Sequence, residues 1–243
     1  MDISHYESLY KNEKTHWWYK VRRIFVQDLL KRFDFDTNTK ILDVGCGTGE
    51  LMIDLGGKYN IYGMDFSSVA IDFCKRRGIN NIRVGDITKI PFEDRTFDCV
   101  LALDILEHVE DDRLAICELN RVLKPGGKAI IFVPAFMIMW GITDELSHHF
   151  RRYRINQISS LFIQNGFEIK YRRYFNSFLF IPILLVRLMN RYFLKSKKNE
   201  NEYAHGLMNK VLEKIFYFEI KLLKFIKPPF GVSICIVAEK TKK

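Results

Sequence analysis

The chain has 243 residues, 48% of them apolar, and a formal net charge of +9. This composition supplies a full core and excludes a natively disordered chain, and the length fits one α/β domain with an elaboration. Five scattered cysteines (Cys46, Cys74, Cys99, Cys117 and Cys235) with no C-x-x-C argue against a disulfide or metal framework; a reducing, cytoplasmic setting and no metal are expected. The polar N-terminus has no apolar stretch of the kind a signal peptide needs, so none is expected.

Residues 1–38 read as amphipathic helix, with Trp17, Trp18 and Tyr19 ahead of Arg22 and Arg23. From Lys40 short apolar runs alternate with helical segments. Strands are expected at Ile41–Val44, Ile61–Met64, Ile82–Val84, Asp98–Leu103 and Lys128–Val133, and helices at Glu50–Leu55, Ser68–Arg77 and Leu114–Leu123. Asp65 closes the second strand and Asp86 the third, while Gly78 and Lys124-Pro125-Gly126-Gly127 stop helices. This alternation implies a doubly wound, mostly parallel sheet. Further on, Asn156 is expected to cap a helix ending at Gly166, and Phe167–Phe175 and Gly231–Lys240 read as two more strands. Residues 176–228 between them are apolar and basic, with a polar linker at Lys195–Glu202.

The run Ile41-Leu42-Asp43-Val44-Gly45-Cys46-Gly47-Thr48-Gly49-Glu50 is a buried strand passing into a glycine-rich turn. Glycine admits positive φ and lets a ligand approach the main chain, and a helix starting there aims free N–H groups at it. A dinucleotide site uses G-x-G-x-x-G, whereas the register here is D-x-G-x-G-x-G. Asp65, 22 residues after Asp43, can accept both hydroxyls of a ribose, and Asp86 can accept from an exocyclic adenine amine. A pyrophosphate site gains from having no acid beside it, yet Asp43 and Glu50 flank this turn. They suit a positively charged nucleoside, and S-adenosylmethionine carries both a sulfonium and an ammonium.

Together with Tyr62–Ser67, Val84–Ile87, Ile90-Pro91-Phe92, Thr96-Phe97-Asp98, Asp104–Val109 and Leu123–Gly127, this run resembles the motifs of class I S-adenosylmethionine-dependent methyltransferases, in order and in spacing. The resemblance covers residues 40–170 and the last strand near 231–240. It implies a Rossmann-like seven-stranded sheet whose last strand is antiparallel, and an enzyme that transfers a methyl group. It places Asp43, Gly45, Cys46, Gly47 and Gly49 of the first motif, Asp65 and Phe66 of the second, Asp86 and Ile87 of the third, and Leu103 around the cofactor. In many class I enzymes an N-terminal helix lids the pocket, and Arg22 or Arg23 would then meet the methionine carboxylate. The organisation expected is a lid over 1–38, the methyltransferase domain over 39–175 and 229–243, and a substrate or membrane-surface element over 176–228.

For the chemistry, an amine acceptor must be neutral and a hydroxyl needs a base or a metal. His108, just after strand four, is the leading candidate base, and Asp104 four residues earlier is expected on the same helical face, orienting the ring. Phosphobase methyltransferases resemble the chain here, with an Asp and a His at this spacing; a pocket-shaping or capping role for His108 stands beside that reading. His148 and His149, in Ser147–Tyr153, are the second candidates, and the arginines of that segment either hold the acceptor or pair with acids such as Asp144 and Glu145. Trp17 and Trp18 are equally well read as core.

Residues 172–243 hold 15 Lys/Arg against five Asp/Glu, while the rest is balanced to within one charge. An anionic partner at that end follows: a membrane surface, a nucleic acid or a phosphorylated substrate. Phe178–Val186 is too short to span a bilayer, which takes about 20 apolar residues. In Leu207–Ile226, Lys210, Lys214, Lys221 and Lys224 fall within about 80° of helical arc, with Phe and Leu filling much of the remainder and Glu219 opposite the lysines. That is the pattern of an interfacial helix, or of an ordinary helix covering the sheet. The leading reading is methyl transfer to O or N of a small-molecule or lipid-linked acceptor, peripheral at a membrane. A nucleic-acid or protein methyltransferase using the basic end is the alternative, disfavoured for nucleic acid by the absence of an Asp/Asn-Pro-Pro-Tyr/Phe tetrapeptide. A non-catalytic cofactor-binding protein is the third.

Overall fold

A computed structural model describes residues 3–190 and 206–242; the polar linker expected at 195–202 lies outside them. The element order is α1 (Ile3–Asn12), α2 (Trp17–Arg32), β1 (Lys40–Val44), α3 (Glu50–Gly56), β2 (Asn60–Asp65), α4 (Ser68–Arg76), β3 (Ile82–Val84), β4 (Phe97–Leu103), α5 (Asp112–Val122), β5 (Leu123–Pro134), α6 (Ile142–Leu146), α7 (Ile155–Gln164), β6 (Phe167–Phe175), α8 (Phe180–Met189), α9 (Gly206–Leu222) and β7 (Ser233–Lys240). The strands form one seven-stranded sheet in the order β3-β2-β1-β4-β5-β7-β6. β1 to β5 pair in parallel, and β7 runs antiparallel between β5 and β6.

Alternation along the central strands builds two cores. Ile41, Cys99, Leu101, Ile130 and Phe132 face one side, where α2, α3 and α9 supply Val21, Phe25, Leu29, Leu55, Phe216 and Ile220. Leu42, Val100, Ala102, Ala129 and Ile131 face the other, against Ile116 and Leu119 of α5 and Ile158 and Phe162 of α7. Strands covered on both faces read as near-continuous apolar runs, which is why β1, β4 and β5 are plain in the sequence.

Two local expectations are corrected. Arg154, not Asn156, is the N-cap of α7; the Asn156 side chain accepts instead from Arg172 Nη1 at 3.2 Å on β6. β5 starts five residues early because Leu123 pairs with Phe97 before a register shift across Pro125–Gly127. Glu219 is fully buried, and its carboxylate accepts from the backbone N–H of Ser177 (2.8 Å) and Phe178 (3.0 Å), tying α9 to the turn after β6. No helix among the described residues is long and apolar enough to cross a membrane.

Candidate functional site

The carboxyl ends of β1, β2 and β4 open into a cavity of about 1730 Å³, roofed by α1, α2, α8 and the start of α9. Ligand pockets commonly measure about 300–1,000 Å³, so this one has room for two ligands side by side.

The glycine turn forms the floor. Gly45 and Gly47 take φ of +75° and +55°, and a Cβ at Gly45 would stand 2.9 Å from Ile105 Cδ1, so both positions favour glycine. Asp65 Oδ2 accepts from Gly47 N at 2.9 Å and Oδ1 from Ser67 N at 2.9 Å, which fixes the carboxylate at the end of β2. Burial raises the Asp65 carboxyl, and the two backbone N–H groups work against that rise. Tyr6 of α1 donates to Asp65 Oδ1 at 3.4 Å; its phenol, pushed up to about 12 by burial and by the Asp65 charge, stays a neutral donor. Asp43 is buried at the end of β1, and burial, then Asp65 and Glu13, push its carboxyl up to about 7. A site that raises an acid so far gains from a bound cation.

Glu50, read as a second acid facing the ligand, does not line the cavity. Its carboxylate is held by Arg77, which also grips Glu13 at 2.7 Å. Gly49 likewise does not line the cavity; it is the left-handed N-cap of α3, where a Cβ would strike Ile79 Cδ1 at 2.6 Å. Cys46, Phe66, Asp86, Ile87 and Leu103 all line the cavity. Phe66 is 77% exposed at the rim, Ile87 is buried, and Asp86 Oδ1 accepts from Thr88 N and Oγ1 at 2.7 Å.

Asp104 follows β4 with φ +54° and so does not share a helix with His108, and it forms an ion pair with Arg22. Arg22 lies over the Trp18 and Phe132 rings at 5.1 and 5.3 Å, and its guanidinium lines the cavity. Arg23 also borders the cavity, with its guanidinium bonded to Asp54 and to the backbone of Glu13. Trp17 is core and Trp18 stacks on Phe216 of α9, while both also border the cavity.

His108 ends a 3-10 turn over Leu106–His108, and its ring meets that of His149 edge to face at 4.5 Å. His149 Nδ1 lies 2.8 Å from Oδ1 of the fully buried Asp144. Burial would raise Asp144, but the His149 bond, Arg152 and Arg187 outweigh it and hold the carboxyl at about 2. Asp144 is thus an anion set to accept from the Nδ1 side of His149, which leaves Nε2 turned away from it. His148 lines the cavity from an exposed position. The arginines nearby are occupied: Arg152 by Asp144, Arg151 by Asp112 rather than Glu145. Tyr153 donates to Leu106 O and Asp112 from the core.

Sequence reasoning missed three contributors. Tyr6 sits in an ordinary amphipathic helix, and Arg187 in an apolar run. Glu107 lies inside the quoted Asp104–Val109 run, where a glutamate reads as a solvated turn residue; it is fully buried, and burial with the Asp104 charge raises its carboxyl well above the usual range.

Residues 42–131 match a family model described as a methyltransferase domain. A demethylmenaquinone methyltransferase of Staphylococcus aureus is 32% identical over 138 residues, which cover 51% of this chain and 57% of that protein. The chain thus aligns with little more than half the length of this curated relative. Among solved structures, a cyclase superposes with TM-score 0.62 at 20% identity, covering 93% of this chain and 83% of its own. The phosphoethanolamine N-methyltransferase 2 of Haemonchus contortus, in complex with S-adenosyl-L-methionine, superposes with TM-score 0.58 at 20% identity, covering 88% of this chain and 52% of that one. These structural likenesses establish the fold; the cyclase among them is a reminder that the fold alone does not set the reaction.

Proposed function

We infer that this chain, which carries a methyltransferase domain at residues 42–131, uses S-adenosylmethionine to methylate O or N of a small-molecule or lipid-linked acceptor. The observation that carries the reading is the pair of buried acids, Asp43 and Asp65, flanking a left-handed glycine turn in a cavity large enough for cofactor and acceptor together.

The donor set fits the cofactor. Asp43 meets the ammonium, and the neutralisation offsets the cost of its ionisation. Asp65, already fixed by two backbone N–H groups, keeps lone pairs for the ribose hydroxyls. Phe66, Asp86 and Ile87 border the adenine end, Cys46 and Leu103 the middle, and Arg22 meets the carboxylate from α2. When bound, the cofactor supplies a methyl group activated by its sulfonium for in-line displacement. The protein's own task is alignment, exclusion of water and removal of the acceptor's proton. His108, His148 and His149 stand at the cavity wall where that proton leaves, and Asp144 fixes the His149 ring. Residues 1–38 act as a lid: Tyr6 reaches Asp65 and Arg22 reaches Asp104 across the opening.

Residues 176–228 shape the acceptor side. Ile183, Val186 and Met189 of α8 and Met208 and Leu212 of α9 give the cavity an apolar wall. Val186, Met189, Met208 and Phe218 are exposed on α8 and α9, and so are Lys210 and Lys214 of α9. That favours an acceptor with an apolar part presented at an anionic membrane surface, and the relative named for demethylmenaquinone supports an acceptor of this kind.

The test is transfer from methyl-labelled S-adenosylmethionine into a cell extract separated afterwards into lipid, small polar, protein and nucleic-acid fractions. Label is expected in the lipid or small-molecule fraction. Label confined to protein or nucleic acid would transfer the assignment to the alternative class, and none above a boiled control would sink the enzyme reading.

A further inference from the structure

Glu107, His108 and His149 offer three ligand atoms that all lie within 4.8 Å of one another at the cavity wall. Glu107 has no solvent exposure, and neither of its carboxylate oxygens has a hydrogen-bond partner among the described residues. A buried carboxylate in that position requires a proton or a cation to offset its desolvation. The second observation concerns His149. Its Nδ1 lies 2.8 Å from Asp144 Oδ1, which fixes the ring and leaves Nε2 turned away from that partner. A carboxylate behind an imidazole is the arrangement that orients metal-binding histidines. Asp144 is itself fixed by Arg152 at 2.8 Å and by Arg187 at 3.6 Å, so the support is rigid.

We propose that Glu107, His108 and His149 form a binding site for one divalent transition cation of the zinc or cobalt type, beside the methyl-donor region of the same cavity. Two imidazoles and one carboxylate are a known zinc set that leaves a position open for a further ligand. Imidazole donors favour such borderline cations over magnesium. Ligand atoms about 2.0–2.2 Å from a tetrahedral ion stand about 3.4 Å apart, so small side-chain rotations close the cluster.

The role of the cation rests on the methyl-transfer reading; its binding does not. A cation here lowers the pKa of an acceptor hydroxyl brought beside it. The hydroxyl proton passes to solvent by way of the exposed His148. The acceptor oxygen bonds the methyl carbon as the S–CH3 bond breaks, and the sulfur keeps the electron pair in S-adenosylhomocysteine.

The experiment uses the full chain, stripped with a chelator, dialysed, and titrated with CoCl2 by visible absorption and with ZnCl2 by calorimetry. Glu107→Gln, His108→Gln and His149→Gln are titrated alongside, with S-adenosylhomocysteine affinity and circular dichroism measured for each. One equivalent is expected to bind the wild type, with at least a hundredfold loss in each variant, retained S-adenosylhomocysteine affinity, and no binding of MgCl2 at the same concentration. Asp144→Asn should weaken cobalt by about 10–100-fold with all three ligands present. Cobalt binding unchanged in Glu107→Gln and His149→Gln would assign it to the cysteines and overturn the site. A wild type that binds S-adenosylhomocysteine but no cobalt or zinc would overturn it too, and leave the methyltransferase reading standing. A wild type that binds cobalt but not S-adenosylhomocysteine would support the site and remove the role given to it.

Discussion

At Asp43, burial and the neighbouring Asp65 and Glu13 lift the carboxyl to about 7 from an ordinary 3.8. The folded chain therefore holds a proton there between about pH 4 and 7 that the unfolded chain has released. Ligand-free stability accordingly falls as pH rises through that window and is level above it. Cofactor binding runs the other way, because the ammonium needs the ionised form. Calorimetry with S-adenosylhomocysteine is expected to give an affinity level above pH 7 that weakens by about tenfold per pH unit below it. Asp43→Asn should bind more weakly at pH 8 and lose most of that slope; a wild-type affinity level from pH 5.5 to 8.5 would contradict the assignment. His149→Ala is expected to lower turnover by about 10²–10⁴-fold with cofactor affinity retained, read from single-turnover label transfer, and normal turnover would remove the residue from the chemistry.

Residues whose place in the cavity is set within one strand and turn were legible. Asp43, Gly45, Gly47 and Asp65 fall where the period-two run ends and the glycines begin, and that geometry travels with the sequence. At Asp104 a positive φ after β4 replaces the helical spacing to His108 that the sequence suggests, and the ion-pair partner Arg22 lies 82 residues away. Asp144 was legible as an acid partner for the arginines of the segment before α7, as Arg152 shows, but its contacts with His149 and with Arg187 of α8 were not.

Among the elements, α9 joins the sheet to the roof of the cavity. Phe216 and Ile220 pack in the core, and Phe216 meets Trp17 and Trp18 of α2 at 5.7 and 5.6 Å. The alternation of lysines and aromatic residues marked the helix in the sequence, but not which apolar side chains it buries, since that depends on α2 lying against it. Glu219, opposite the lysines, is the pin: its carboxylate satisfies two backbone N–H groups that start the path from β6 to α8. Glu219→Ala leaves both unpaired and should cost about 2–4 kcal/mol. For a chain of this length that lowers the melting temperature by about 4–16 °C, measurable by calorimetric scan. Glu219→Gln, which keeps one acceptor, should lose less; an unchanged midpoint in Glu219→Ala would contradict the pinning role.

For the whole molecule, the excess positive charge lies in residues 172–243, the same stretch whose helices α8 and α9 carry exposed apolar side chains such as Val186, Met189, Met208 and Phe218. Vesicles containing anionic lipid should retain the full chain at low salt, and neutral vesicles should retain much less. Lys210→Glu with Lys214→Glu should reduce that retention several-fold. Equal retention by neutral and anionic vesicles would sever the charge from the function. RNA binding that collapses steeply with salt, without vesicle binding, would turn the basic end toward the alternative partner.

The sheet order and the antiparallel β7 show how far a run of local motifs constrains a global arrangement, since each motif fixes one strand end on the same edge. The roof was harder to foresee, because α1, α2, α8 and α9 meet over that edge from opposite ends of the chain. The account depends most on what that edge binds. Titration of the wild type and of Asp65→Ala with S-adenosylhomocysteine addresses it directly. One-to-one binding by the wild type that weakens at least a hundredfold in Asp65→Ala is predicted. No binding by the wild type, or undiminished binding by Asp65→Ala, would contradict it.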